Sequence, residues 1–566
     1  MSIVFAVGLL NAQNVLAAGT TLYGIMPTKV TVGAAVKIAG VFAPTGNILN
    51  FKIVYSATET YTFQSEPINA DLNSLGEGIA LTYTIPKSIK TSDGKDAKLD
   101  CLNSLSSCGY YVTVTNSLGT TSSQPLTILA LTPPSPSASV VNLINLPTPP
   151  KKDGSADASL AIRTALSQLP TTGGTLYIPA GTYRIDSQVN IDTPDASRNN
   201  ITILGDGVGK TILMRGPSAN SDFAVLVSYG KATRIAHLTF WGNSPTVVQK
   251  KKPELYLLGS NSILENTSIV GYSGYGVVSE GNSNIIRNNF LQSTGPVDNT
   301  TSPATVGMGI AFYCSKGNSY CKDPANRDLI NNKIVIENNV VLSNVLNGIY
   351  VDSGTGIQIN HNYLALNHRQ TCSGGGGQID AGGAQVGSNV SGNISNNIID
   401  QSYGGLTSGI ELHGSYQVTG NIIRNQPVQG IGLGSDAITA ASSPSLLVSA
   451  NYILNSGTEH RPWPGILVEG GIQNFAITKN SVSDSRPKKS QTYGVFFLNG
   501  GAALTGSLKG YSMTDNELRG SLFGGWKFVD ANISKYGVLS GNTSNFAVSP
   551  AYQTPNPDKF EYCVTK

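Results

Sequence analysis

The chain has 566 residues, with 37 Lys and Arg against 34 Asp and Glu, a formal net charge of +3. That balance argues against nucleic-acid binding, which needs clustered basic charge, and 13% charged residues with 63 glycines stand apart from disordered and membrane-embedded chains. What remains is a long, turn-rich β protein, of several domains or of one elongated repeat.

Residues 1–18 hold an apolar run from Ile3 to Leu10 and small residues at Ala17-Ala18-Gly19, which predicts an export signal; a buried N-terminal strand is the alternative, because no Lys or Arg precedes the run. No later stretch reaches the ~18 apolar residues of a membrane span, so the expected location is secreted or periplasmic. Cys101 and Cys108, and Cys314 and Cys321, form two local pairs of equal separation, which in an exported chain predicts two disulfides; Cys372 and Cys563 pair or stay free.

From residue 19 to 131, short alternating runs such as Lys29-Val30-Thr31-Val32, Asn50-Phe51-Lys52-Ile53-Val54-Tyr55 and Tyr110-Tyr111-Val112-Thr113-Val114 predict a β-sandwich. The pattern resembles the immunoglobulin-like modules at the front of secreted carbohydrate enzymes. Thr132-Pro133-Pro134-Ser135-Pro136 and Pro147-Thr148-Pro149-Pro150 then frame a predicted Pro-rich linker over 132–150.

Within 151–566, the apolar spacing of Ser159 to Leu166 predicts a short helix, and Gly173-Gly174-Thr175-Leu176-Tyr177-Ile178-Pro179-Ala180-Gly181-Thr182-Tyr183 a strand and turn. This passage resembles the start of the pectate-lyase-like superfamily, whose members are right-handed parallel β-helices. The resemblance implies an all-β solenoid capped by the helix, and activity on polysaccharide. Independently, one Asn recurs at one turn: Asn266, Asn289, Asn339, Asn362, Asn397, Asn421, Asn451, Asn480, Asn516 and Asn542. Stacked coils would bring these side chains into a hydrogen-bonded ladder, a structural role. His237 and His361, beside ladder positions, read as turn residues.

Ahead of each ladder Asn runs Gly-apolar-x-apolar-x, as in Gly348-Ile349-Tyr350-Val351-Asp352, Gly409-Ile410-Glu411-Leu412-His413, Gly430-Ile431-Gly432-Leu433-Gly434 and Gly465-Ile466-Leu467-Val468-Glu469. Alternation turns the second and fourth positions inward and the third and fifth outward. Gly376-Gly377-Gln378-Ile379-Asp380 fits if Ile379 is the fourth position, which would make Gln378 and Asp380 outward; Gly309-Ile310-Ala311-Phe312-Tyr313 fits upstream. The outward face then carries Tyr313, Tyr350, Asp352, Gln378, Asp380, Glu411, His413 and Glu469. Rungs about 4.8 Å apart would hold Asp352, Asp380 and Glu411 close enough to raise at least one pKa, although solvated acids on an exposed face are the plainer reading. The Gly432/Gly434 rung reads as a notch for a sugar ring or as a tight bend. Tyr313 and Trp463 are candidates to stack on sugar, and Glu459-His460-Arg461 either clamps substrate or solvates a loop tip.

Asp352, Asp380, Glu411 and His413 are therefore the candidate catalytic groups, with Tyr313, Tyr350, Gln378, Trp463, His460, Arg461 and Glu469 around substrate. A glycoside hydrolase needs an acid and a second carboxylate, which this stack supplies. Leu412-His413-Gly414 is similar to the Gly-His-Gly element of the β-helix polygalacturonases, while Asn-Thr-Asp, Gly-Asp-Asp and Arg-Ile-Lys do not occur. The alternative is a polysaccharide lyase or uronan epimerase, in which calcium held by the acids would neutralise a uronate and Tyr350 or His413 would move the proton. The hydrolase reading needs no cofactor. A non-catalytic glycan-binding β-helix predicts an Asn, Ser and Thr face, which the acids contradict. The partner in each case is a polysaccharide; the oligomeric state is not encoded in these patterns.

Overall fold

Apolar residues at every second place of a short strand need a face to cover them, and this chain provides one in two different ways. The computed structural model describes residues 20–544 except 27–28, 32, 55–59, 73–77, 87–88, 91–95, 98–108, 123, 130–133, 136, 138, 193–197, 218–222, 244–251, 295–306, 313–330, 370–375, 383–389, 403–406, 435–445, 458–462, 470–471, 499–509 and 529–536. The export-signal stretch, all six cysteines and Tyr313, His460 and Arg461 lie outside the described residues.

The chain divides into two compact units, the first essentially residues 1–132 and the second from Pro133 onward. In the first, one sheet runs in the order Thr21–Met26, Ala35–Phe42, Gly78–Thr84, Asn69–Leu72. A second is built on Lys29–Thr31, Gln124–Leu129, Gly109–Asn116, Ile48–Val54 and Thr60–Ser65. Their inner residues, among them Leu22, Ile38, Phe42, Leu49, Phe51, Leu81, Tyr83, Val112 and Val114, make one buried cluster, the core of a β-sandwich.

The second unit is a right-handed parallel β-helix of three sheets with 14, 14 and 12 strands among the described residues. Each coil adds one strand to each sheet in turn. Ile357–Asn360 joins the first sheet, Tyr363–Ala365 the second and Gly376–Ala381 the third, and Ser391–Ser395 then returns to the first. Inward residues stack in columns; in the third sheet Ile310, Ile349, Ile379, Ile410, Ile431, Ile466 and Val495 follow one another in register, all fully buried. Each such side chain contributes roughly 1.5–3 kcal/mol relative to exposure. The helix Ser159–Ser167 buries Ile162, Ala165 and Leu166 among Leu143, Leu176, Ile178 and Ile185, so it caps the first coil. The solenoid begins earlier than the predicted linker allows: Val140–Asn142, inside the Pro-rich stretch, is already the first strand of the first sheet, paired with Gly174–Ile178.

Nine of the ten predicted Asn form the ladder, from Asn289 to Asn542. In each step the backbone N–H and Nδ2 of one Asn donate to Oδ1 of the next, as from Asn421 to Asn451 at 3.0 and 2.9 Å. The Nδ2 group also donates to a backbone carbonyl, for Asn421 that of Ile394 at 2.9 Å, so both ends of the side-chain amide and the backbone N–H of the ladder Asn are used. Asn266 is not a rung. Thr267 stands there, its N–H and hydroxyl donating to Asn289 Oδ1 at 3.0 and 2.8 Å, while Asn266 takes the left-handed backbone (φ 51°) that precedes each rung. His237 (φ 60°) and His361 (φ 56°) occupy this same left-handed place, a turn role.

Candidate active site

The third sheet decides which side chains leave the solenoid together. Its register pairs Ala311 with Tyr350, Tyr350 with Asp380, Asp380 with Glu411, Glu411 with Gly432, Gly432 with Leu467 and Leu467 with Phe496. These residues form one outward column, in which Asp380 and Glu411 are neighbours on successive rungs, about 4.8 Å apart along the backbone. One residue beyond the paired strands runs a flanking column. Backbone hydrogen bonds from Asp352 to Phe312, Gly382 to Val351, His413 to Ala381, Gly434 to Leu412 and Glu469 to Leu433 continue the ladder there. Asp352, His413 and Glu469 thus lie beside the acid pair rather than in line with it.

The Gly376-to-Asp380 frame is offset by two from the predicted one. Ile379 pairs with Ile349 and Ile410, so it is the second position, not the fourth, and Asp380 takes the third. Gln378 then falls where the neighbouring rungs have Gly348 and Gly409, and it is fully buried, not outward. The reason is the bend at which the chain enters this sheet. There alternation breaks, and a Cβ on Gly348 or Gly409 would come within 2.8 Å of Leu364 and 2.5 Å of Ile423 inside the solenoid. Gln378 uses this interior corner instead: Asn367 Nδ2 donates to its Oε1 at 2.9 Å, and its Nε2 donates to the Asp400 carbonyl at 2.7 Å. It binds no substrate from there.

Both acids reach the surface only partly, and each is held by a polar residue just ahead of a frame glycine. Ser408 Oγ donates to Glu411 Oε2 at 2.7 Å and Gln429 Nε2 donates to the same oxygen at 3.3 Å; Asn347 Nδ2 is 3.4 Å from Asp380 Oδ2. Burial pushes the Glu411 carboxyl up to about 7, the Glu469 charge adding to this and the Ser408 and Gln429 bonds opposing it. Burial, then the charge of Glu411, drives the Asp380 carboxyl well above the usual carboxylate range. Burial and the neighbouring Asp380 and Asp352 charges also raise the Tyr350 phenol, which packs beside Tyr275, Val278, Met308 and Ala311. Asn347, Ser408 and Gln429 escaped the sequence reading, although one signal marked them: each is a side-chain donor immediately before the glycine of its frame.

The Gly432/Gly434 rung is not a notch. A Cβ on Gly432 would lie 2.3 Å from Glu411 Oε2, and one on Gly434 2.8 Å from His413 Nδ1, so the glycines make room for these two side chains. Glu411 leans toward the following rung while Asp380 leans back toward Asn347. Trp463 sits half-buried just before Ile466–Val468, its carbonyl accepting from Thr492 N–H at 2.9 Å. Among the described residues no three His, Cys, Asp or Glu side chains converge to hold a metal ion.

No family model matches the chain. Two mannuronan C5-epimerases of Azotobacter vinelandii are similar to parts of it: AlgE3 is 30% identical over 138 residues, 22% of this chain and 8% of its own length. AlgE1 is 26% identical over 219 residues, 36% of this chain and 15% of its own. The chain therefore spans only a small part of the curated relatives it matches. Among solved structures, the A-module of the Azotobacter vinelandii mannuronan C-5 epimerase AlgE6 superposes with TM-score 0.45 and 15% identity, covering 71% of this chain and 98% of that one. A GH87 alpha-1,3-glucanase catalytic domain in complex with nigerose superposes with TM-score 0.43 and 12% identity, covering 91% and 92%.

Proposed function

We propose that this chain is an exported polysaccharide-degrading enzyme, a glycoside hydrolase whose reacting groups are Asp380 and Glu411. The observation that carries this reading is the pair of neighbouring outward carboxyls, both with raised pKa, that lean apart across the substrate face. In the reaction, the glycosidic C–O bond breaks with its electron pair on oxygen, and one carboxyl supplies the proton that oxygen takes. The other carboxylate accepts a proton from the water whose oxygen bonds to the anomeric carbon. Asp352, Glu469 and His413 flank the pair, and from Ala311 to Phe496 the outward column holds no Lys or Arg, Lys527 following only beyond Phe496, a setting suited to a neutral glycan rather than a polyuronate.

The second reading, uronan epimerisation or lyase chemistry, is favoured by the stretches similar to the mannuronan C5-epimerases. Calcium bound by the acids would then offset the charge of the substrate. Incubation with a panel of neutral and uronate polysaccharides separates the two. New reducing ends without ultraviolet-absorbing unsaturated uronates support hydrolysis; unsaturated ends, or deuterium uptake from heavy water at C5 without cleavage, overturn it.

A further inference from the structure

The two acids are neighbours on equivalent strands, yet they are not held alike. Glu411 Oε2 accepts from two donors on two rungs, the Ser408 hydroxyl at 2.7 Å and the Gln429 amide at 3.3 Å, and Gly432 leaves the space into which that carboxylate leans. Among the described residues Asp380 has a single long contact, 3.4 Å to Asn347 Nδ2, and that amide makes its better bond, 2.7 Å, to the Gly377 carbonyl. An amide N–H can only donate, so Gln429 favours the ionised form of Glu411. The Ser408 hydroxyl has a second acceptor, the Gly376 carbonyl at 3.2 Å, to which it can turn when Glu411 is protonated. Donors aimed at a partly buried carboxylate stabilise charge there, whereas an acid with almost none, beside a charged neighbour, keeps its proton.

We propose that the pair is asymmetric by construction: Asp380 is the proton donor to the leaving oxygen, Glu411 is the ionised partner that takes the proton of water, and Ser408 and Gln429 are the positioning residues that fix this order. The assignment rests on the hydrolase reading for its chemistry, but not for the order of ionisation. Among the described residues, the charged and titratable groups facing the pair are Tyr350 and Asp352 from the preceding rung, His413 just past the strand of Glu411, Glu469 beyond the glycine rung, and the buried Tyr416 of the first sheet, which feels the Asp380 charge. Burial and the acidic neighbours oppose ionisation at both carboxyls, and the hydrogen bonds favour the ionised form at Glu411 more than at Asp380.

The order can be read without substrate. Carbodiimide activates protonated carboxyls, and coupling to glycinamide followed by peptide mass spectrometry reports each acid against pH. In the parent, Asp380 is expected to take label up to a higher pH than Glu411. In Ser408→Ala and in Gln429→Met the Glu411 midpoint should rise by up to about one pH unit per bond lost, narrowing the gap, and Ser408→Thr should restore it. On any polysaccharide the parent cleaves, the acid limb of kcat/KM should move to higher pH in the same two variants. Labelling of Glu411 to higher pH than Asp380 in the parent, or a Glu411 midpoint unmoved in both variants, overturns the assignment. Failure of every polysaccharide with the labelling order intact overturns the hydrolase reading alone.

Discussion

At the scale of single residues, the site works by crowding: two acids share one outward column, and glycines clear the rung their neighbours lean over. Asp380→Asn and Glu411→Gln should each fold and lose about 10²- to 10⁴-fold in kcat on a cleaved glycan, while Asp352→Asn, in the flanking column, should lose less. Gly432→Ala is a sharper test. Its new Cβ would sit 2.3 Å from Glu411 Oε2, the far end of a flexible side chain, so the carboxylate should swing aside: melting temperature nearly unchanged, kcat lowered. The raised Glu411 pKa also has a stability sign. A carboxyl whose folded value stands near 7, above its unfolded value, favours folding when protonated; that contribution is complete below the unfolded pKa and is lost as pH rises through about 7. Glu411→Gln cannot ionise, so its melting temperature should overtake that of the parent as pH rises across this window. Equal pH dependence in parent and variant would remove burial of the charge as the cause.

At the scale of strands and turns, the repeat was legible because a solenoid repeats its physics. The inward Ile349, Val351, Ile410 and Leu412 follow from alternation alone, and the ladder from one residue type at one turn. Asn451→Ala would strip the acceptor from both Asn421 donors and cost about 1–3 kcal/mol per buried group left unpaired, whereas Asn266→Gly, at a left-handed turn position outside the ladder, should cost far less. Denaturant melts of the two variants check this difference. What the sequence could not carry was the place where alternation fails. Gly376-Gly377 imitates the frame glycine, so Gln378 reads as outward, yet the true frame position is Gln378 itself, turned inward at the bend. Glu265-Asn266-Thr267 misleads in the same way, since Thr can accept the rung that Asn holds elsewhere. Asp380 and Glu411 were found as candidates, but their pairing, and the donors Asn347, Ser408 and Gln429, depend on which residues face each other across rungs, information no single strand contains.

At the scale of the whole molecule, the two units have separate cores, one drawn from Leu22 to Leu126 and the other from Leu143 to Leu518, and both reacting acids belong to the second. The solenoid is also closed at its start by its own parts: Val140–Asn142 supplies the first strand, and the helix Ser159–Ser167 covers Leu176, Ile178 and Ile185. Two truncations follow from this arrangement. A chain beginning at Pro134 keeps the strand and the cap, and should fold with the parallel-sheet circular dichroism, melting transition and kcat of the solenoid in the full chain. A chain beginning at Thr171 loses both, leaving an apolar coil end and the open edge of Gly174–Ile178 in water, which should make it aggregate or fail to accumulate in soluble form. If the Pro134 chain is soluble and folded but turns over a soluble glycan much more slowly than the full chain, the sandwich takes part in the reaction; if both truncations behave alike, the helix is not the cap that holds the first coil closed.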